Sequence, residues 1–145
     1  MITTTHQDLL ASWLCKRIGL RPSTDLKCIG TVVDKKIIGV VGYDGYNGAS
    51  VMMHVAGDAG WCTRSFMYAA FHYPFEVMKC RVVLGLIPCG NRAALRFNRH
   101  AGFDILSNIH DAHPDGSLVL MVMPRSRCRF LEPRYGKEVK TASAT

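Results

Sequence analysis

Near the start of the chain, Leu9, Leu10, Trp13, Leu14 and Ile18 recur three or four residues apart, which gathers them on one face of an amphipathic helix over 6–19. Gly19 is a natural stop. Beyond it the spacing shortens: 28–33 and 36–41 are rich in β-branched side chains and flank Asp34 and Lys35, predicting two antiparallel strands joined by a tight hairpin. The turn cluster Tyr43 to Gly48 precedes a third strand over 49–55. Gly57, Asp58, Ala59 and Gly60 break that strand, and Thr63 can cap a helix whose core face is Phe66, Met67, Ala70 and Phe71. Pro74 ends or kinks this helix near Tyr73. The stretch 81–87 is continuously apolar, as in a strand covered on both faces. A second capped helix follows over 92–100, closed by Ala101 and Gly102, and then two strands over 103–109 and 118–123 around a turn at Pro114, Asp115 and Gly116. This order predicts one mixed α/β domain over 1–130, with helices on both faces of a mostly antiparallel sheet. Residues 131–145 read as a basic, loosely held tail.

Length and composition agree with one globular domain: 145 residues, 48% hydrophobic and 20% charged. The longest apolar runs cover about a third of the roughly 20 residues that span a bilayer, so no membrane crossing is expected. The first eight residues are polar and lack the basic-then-apolar order of a secretion signal, which points to the cytoplasm. Six cysteines then remain reduced thiols, and none forms a CxxC pair that would suggest zinc. The string from His110 to Asp115 resembles a ligand set, but it adjoins an Asp-Gly pair and reads as a polar turn, so no metal is expected. A net charge of +7 admits nucleic acid, an anionic ligand or solubility alone. No aromatic-lined basic groove is apparent, which disfavours nucleic acid. The charge falls partly on Arg92, Arg96 and Arg99 and partly on the C-terminal Arg125, Arg127, Arg129, Arg134, Lys137 and Lys140.

Two strand-to-helix junctions carry candidate chemistry, because a helix N-terminus offers unpaired N–H groups and half a positive charge to an anion. At the first, Trp61, Cys62, Thr63, Arg64 and Ser65 supply successive amides, Arg64 adds a permanent charge, and the glycines allow close approach. A plain loop with a Thr cap explains the same residues. Asp58 opposes an anion there, so it must point away or cap something. The second junction opens at Asn91, a natural helix cap.

Asn91 also begins a longer motif: Ala94 three residues on, then Asn98, Arg99, His100, Ala101, Gly102 and Phe103, directly after the apolar strand 81–87. This motif resembles the GNAT superfamily of acetyl-CoA-dependent N-acetyltransferases. There an Asn opens the last helix, a small residue follows three later, and a Gly-Phe pair closes the helix. The resemblance spans about 28–130 and is strongest over 81–103. The segments 60–64, 71–75 and 115–130 look more particularly like small GNAT-like proteins encoded by bacteriophages. The resemblance implies a V-shaped splay between the strands near 49–55 and 81–87 that admits the pantetheine arm of acetyl-CoA. The backbone of Met53 to Val55 would pair with the arm, the amides from Trp61 to Ser65 would hold the pyrophosphate, and Asn91, with Asn98 and Arg99 on its helix, would lie on the other side. The acceptor would be an amine on a small molecule or a protein, with a homodimer or a place in a phage particle as further associations.

Two departures qualify the likeness. The segment 57–64 only loosely follows the family's phosphate loop, and Asn98 stands where many members carry a Tyr that protonates the leaving thiolate. An amide cannot do this. The other reading is therefore a GNAT-shaped protein without catalysis, serving as a structural or binding component. Within the first reading His54 is the base, being an imidazole on the strand beside the splay; a hydrogen-bonded structural histidine is the alternative. His6, His72 and His100 fall at termini or helix ends. Asp111 and Asp115 suit a turn as well as a cationic amine. Phe71, Tyr73 and Phe75 read as core.

Overall fold

In the helix α1 (Gln7–Ile18), Leu10 and Leu14 are buried against the sheet, and Gly19 ends the helix in the left-handed conformation. The computed structural model describes residues 1–135. The expected tail lies from residue 136 onward outside the described residues. Before the helix, the segment read as polar terminus forms a two-residue strand, β1 (Ile2–Thr3), on the edge of β2 (Lys27–Val33). Beyond that short pairing the Gln7 side chain takes over. It accepts the Cys28 N–H and donates to the Cys28 carbonyl, both at 2.8 Å, so the backbone groups of β2 are satisfied where β1 stops.

Asp34 and Lys35 both have positive φ, as a two-residue hairpin requires, and join β2 to β3 (Lys36–Asp44). β3 runs past its expected end at 41 through Asp44 because β4 (Ser50–Gly57) pairs with it over that length. α2 (Arg64–His72) is capped by Thr63 and buries Phe66, Met67, Ala70 and Phe71 as expected. At Tyr73, next to Pro74, α2 ends as expected and passes into a π-helical turn, Tyr73–Val77. Pro74 has no N–H to offer the Ala70 carbonyl four residues earlier. The buried Tyr43 hydroxyl donates to that carbonyl instead, and burial pushes the phenol well above its ordinary pKa. Tyr43→Phe is expected to cost about 1–3 kcal/mol by leaving the carbonyl unpaired, read as a lower urea midpoint at unchanged slope.

The remaining elements are β5 (Val82–Pro88), α3 (Arg92–Ala101), β6 (Asp104–His113) and β7 (Gly116–Pro124). The string from His110 to His113 belongs to β6 rather than to a turn. It forms an irregularity there, with Asp111 at positive φ and pairing resumed at His113 opposite Gly116. No group of His, Cys, Asp and Glu among the described residues is arranged to hold a metal.

The seven strands make one sheet in the order β1-β2-β3-β4-β5-β7-β6, antiparallel except for β4 with β5. One face carries α2 and α3. There Val51, Val83, Met121 and Met123 pack with Phe66, Phe71, Phe75 and Phe103, and the C-terminal Phe130 and Tyr135 extend the aromatic stack. Among the described residues the other face carries α1, over β2, β3 and β4. The strand 82–88 is therefore not covered on both faces: Val83, Gly85 and Ile87 are buried, whereas Val82 and Leu84 are half-buried and Leu86 is exposed. The physical reason is that α1, the helix on that side, makes its main contacts with β2, β3 and β4. All six cysteines are free, and burial holds the Cys28 and Cys128 thiols at about 11, so both stay protonated at neutral pH.

Candidate active site

β4 and β5 are hydrogen-bonded only at Ser50–Met52 with Val82–Leu84. β4 then continues along β3 to Gly57, and β5 continues along β7 to Pro88. The two strands part beyond Met52 and Leu84. Each turns an edge toward the gap with no strand beside it among the described residues, so the backbone of Met53, His54 and Val55 borders an open V.

The loop from β4 into α2 lies at the mouth of this V. Asp58 turns away, as expected: its carboxylate pairs with Arg17 at 3.2 Å and its carbonyl accepts the Trp61 N–H. The Thr63 N–H is taken by the Trp61 carbonyl, and the Thr63 hydroxyl accepts the Phe66 N–H. The run of five free amides thus narrows to three, because Trp61 and Thr63 use theirs inside the turn. Cys62, Arg64 and Ser65 have N–H groups without a partner among the described residues. Arg64, at the first position of α2, has no carboxylate partner there, and the first turn contains no acidic residue, so the positive end of the helix is uncompensated. Trp61 fixes the loop. Its indole lies flat over the α-carbons of Gly57 and Gly39 and touches Phe66 and Phe97, at 6.0 and 5.2 Å between ring centroids.

Across the V, the Asn91 side chain accepts the Ala94 N–H at 3.2 Å and caps α3. Asn98 faces inward, its amide nitrogen 3.5 Å from where a Cβ on Gly85 of β5 would stand. Arg99 is not brought to the same place. A step of 100° around the helix turns it to the outer side, where it lines a groove with Arg92, Leu95, Arg96 and Ile105 of β6.

His54 stands on β4 where the V opens, on the α1 face. Its Nε2 is 2.8 Å from Asp44 Oδ1, and the two side chains are 15% and 18% exposed. A carboxylate only accepts, so Nε2 carries the proton and Nδ1 is left as a free acceptor. The Ser23 hydroxyl donates to the other Asp44 oxygen at 3.4 Å. This order, Ser23 to Asp44 to His54, holds the imidazole in one tautomer and orientation. Asp44 escaped sequence reasoning because it sits inside the turn cluster 43–48. Extending β3 by three residues would have put it on the same face as His54, diagonally across the strand pair.

No protein-family model matches the chain, and no curated protein matches it by sequence. Solved structures do match. The Campylobacter jejuni N-acetyltransferase PseH in complex with acetyl coenzyme A aligns over 71% of this chain and 70% of its own, at 17% identity and a TM-score of 0.56. Spermidine N-acetyltransferase from Vibrio cholerae in complex with CoA and spermine aligns over 86% of this chain and 78% of its own, at 15% identity and a TM-score of 0.63. The chain has the GNAT N-acetyltransferase fold. A probable acetyltransferase aligns over 86% of this chain and 92% of its own, at 12% identity and a TM-score of 0.64. At these identities the likeness is one of fold. No helix among the described residues is long and apolar enough to cross a membrane.

Proposed function

We propose that the protein moves an acetyl group from acetyl-CoA to a primary amine by direct attack, with His54 as the base. The observation that carries this reading is the coincidence of four features at one place: the β4–β5 splay, the free amides of Cys62, Arg64 and Ser65, the cap of α3, and an aspartate-held imidazole. The splay offers the backbone of Met53 to Val55 to an extended arm, as a strand would. The amides and Arg64 suit a pyrophosphate. Asn91 and Asn98 border the gap from α3, and Arg99 stays outside this set. Acetyl-CoA, when bound, supplies an activated acetyl group on a thiol leaving group.

His54 Nδ1 takes the proton that the attacking ammonium must lose, and Asp44 stabilises the imidazolium that results. Asn98 cannot return a proton to the sulfur. The C–N bond forms as the C–S bond breaks; a thiol has an ordinary pKa near 8.5, so its thiolate departs without an acid from the protein, and the second proton that the nitrogen sheds on becoming an amide reaches the sulfur through water.

A second reading, a GNAT-fold component of a phage particle that binds without catalysis, draws on Asn98 at the acid position and on the irregular phosphate loop. Thermal shift with acetyl-CoA separates the two readings, since any ligand of the folded state raises stability by mass action. Stabilisation at millimolar acetyl-CoA is expected, and its absence overturns the enzyme reading. Arg64→Ala and Asn91→Ala are each expected to weaken acetyl-CoA about tenfold, and Asn91→Ala to cost about 1 kcal/mol of stability as well through the lost cap. Wild-type affinity in both variants would remove this site.

A further inference from the structure

We infer that the acceptor is the α-amine of a polypeptide with an apolar N-terminus, laid on the open aliphatic face of β5, β7 and β6 beside His54. This inference rests on the acetyl-transfer reading above. In a parallel pair, facing residues share a side, so Leu84 lies on the side of Met52, and His54, two residues on, projects to that side as well. The register then carries the face outward: Leu84 opposes Val122, Leu86 opposes Leu120, and Leu118 opposes Ile109 on β6. None of these six side chains is fully buried, and Leu86 and Ile109 are 36% and 40% exposed. The helix on this side of the sheet, α1, makes its main contacts with β2, β3 and β4. The base therefore stands at the margin of an aliphatic sheet face and not inside a pocket.

That surface suits a polycation poorly. A polyamine needs several free carboxylates around the base, whereas those nearest His54 are engaged, Asp44 with His54 and Ser23 and Asp58 with Arg17; Asp111 and Asp115, which have no Arg or Lys partner among the described residues, belong to the β6–β7 hairpin at the other end of the face. The chain's net charge of +7 repels it further. A small apolar amine fits poorly too, because small ligands bind where a cavity encloses most of their surface. An open sheet face buries its occupant only if the occupant brings a surface of its own, as a polypeptide does. Its α-amine, with an ordinary pKa of about 7.7–8.0, is neutral in roughly one molecule in ten at pH 7; a lysine, near 10.4, is neutral in about one in two thousand. The α-amine is the nucleophile that asks least of a single imidazole.

The test compares three acceptors with acetyl-CoA: a decapeptide with a free N-terminus beginning Leu-Ile, the same peptide N-terminally blocked with one internal lysine, and spermidine. The free peptide is expected to be acetylated at its α-nitrogen with kcat/KM at least tenfold above the other two. Its C-terminally fluorescein-labelled form is expected to bind the cofactor-free protein by anisotropy. Leu120→Asp is expected to raise the peptide KM at least tenfold, with kcat within twofold and the acetyl-CoA thermal shift unchanged. Ile109→Asp, at a more exposed position, gives a second reading if Leu120→Asp fails to fold. Preference for spermidine or for the blocked peptide overturns this inference and leaves acetyl transfer standing. So does a wild-type peptide KM in the folded variants, or a dimer in sedimentation that Leu120→Asp dissolves, which would make a second copy the occupant. Failure of acetyl-CoA itself to bind overturns both.

Discussion

His54→Gln is expected to lower turnover by about a hundredfold to a thousandfold and to leave acetyl-CoA affinity unchanged, because a positioned base contributes about that much and the proposed acceptor lies on the face of the sheet that carries His54. Glutamine keeps a donor for Asp44 but offers no atom that titrates. Asp44→Asn distinguishes positioning from mere presence. An amide oxygen can still accept from Nε2, but an amide that rotates to present its NH2 favours the other tautomer and places the imidazole proton on Nδ1, where the acceptor's proton must go. Turnover is then expected to fall about tenfold to a hundredfold, with an altered pH profile and an unchanged acetyl-CoA thermal shift. Ring nitrogen shifts in a labelled sample read the tautomer directly: protonated Nε2 in the wild type, a mixture in Asp44→Asn. Turnover within twofold of wild type across pH 6–9 in His54→Gln would remove His54 as the base.

Residues that act through local periodicity were legible in the sequence. The apolar face of α1, the caps Thr63 and Asn91, the hairpin at Asp34 and Lys35 and the closing Gly102 are each specified by neighbours a few residues away. What was not legible depends on partners far along the chain. β3 reaches Asp44 only because β4 pairs there, so the partner of His54 remained hidden in a turn-like composition. The continuous run 81–87 reads as doubly covered, but where α1 settles is decided by its packing on β2, β3 and β4, elements far from that run in the chain. Likewise, Asn98 and Arg99 are adjacent in sequence and share a motif, yet the 100° helical step sends one over Gly85 and the other into the outer groove. The free amides could be counted only after the turn had used two of the five.

Gly57→Ala tests the link between packing and the phosphate loop. A Cβ at this position would stand 2.2 Å from Cγ of Trp61, pressed against the face of the indole, and a Cβ on the neighbouring Gly39 would lie 2.8 Å from Trp61 Cβ. The backbone of Gly57 has an ordinary conformation for any residue, so the whole effect comes from the displaced ring. Overpacking of this kind costs about 1–3 kcal/mol, and here the ring is also the anchor that sets the amides of Cys62, Arg64 and Ser65. Gly57→Ala is therefore expected to lower thermal stability and to weaken acetyl-CoA at least tenfold together, with a red-shifted emission as the indole moves into water. Trp61→Ala removes the obstacle. In the double variant Gly57→Ala, Trp61→Ala the stability loss is expected to fall short of the sum of the single losses by about 1 kcal/mol or more, because the clash has no second partner. Acetyl-CoA affinity is expected to stay low in that double variant, since relief of the clash does not restore the anchor. Recovery of affinity there would show that the loop holds its amides without Trp61, and a Gly57→Ala protein with wild-type stability and emission would show that the indole does not lie against this glycine at all.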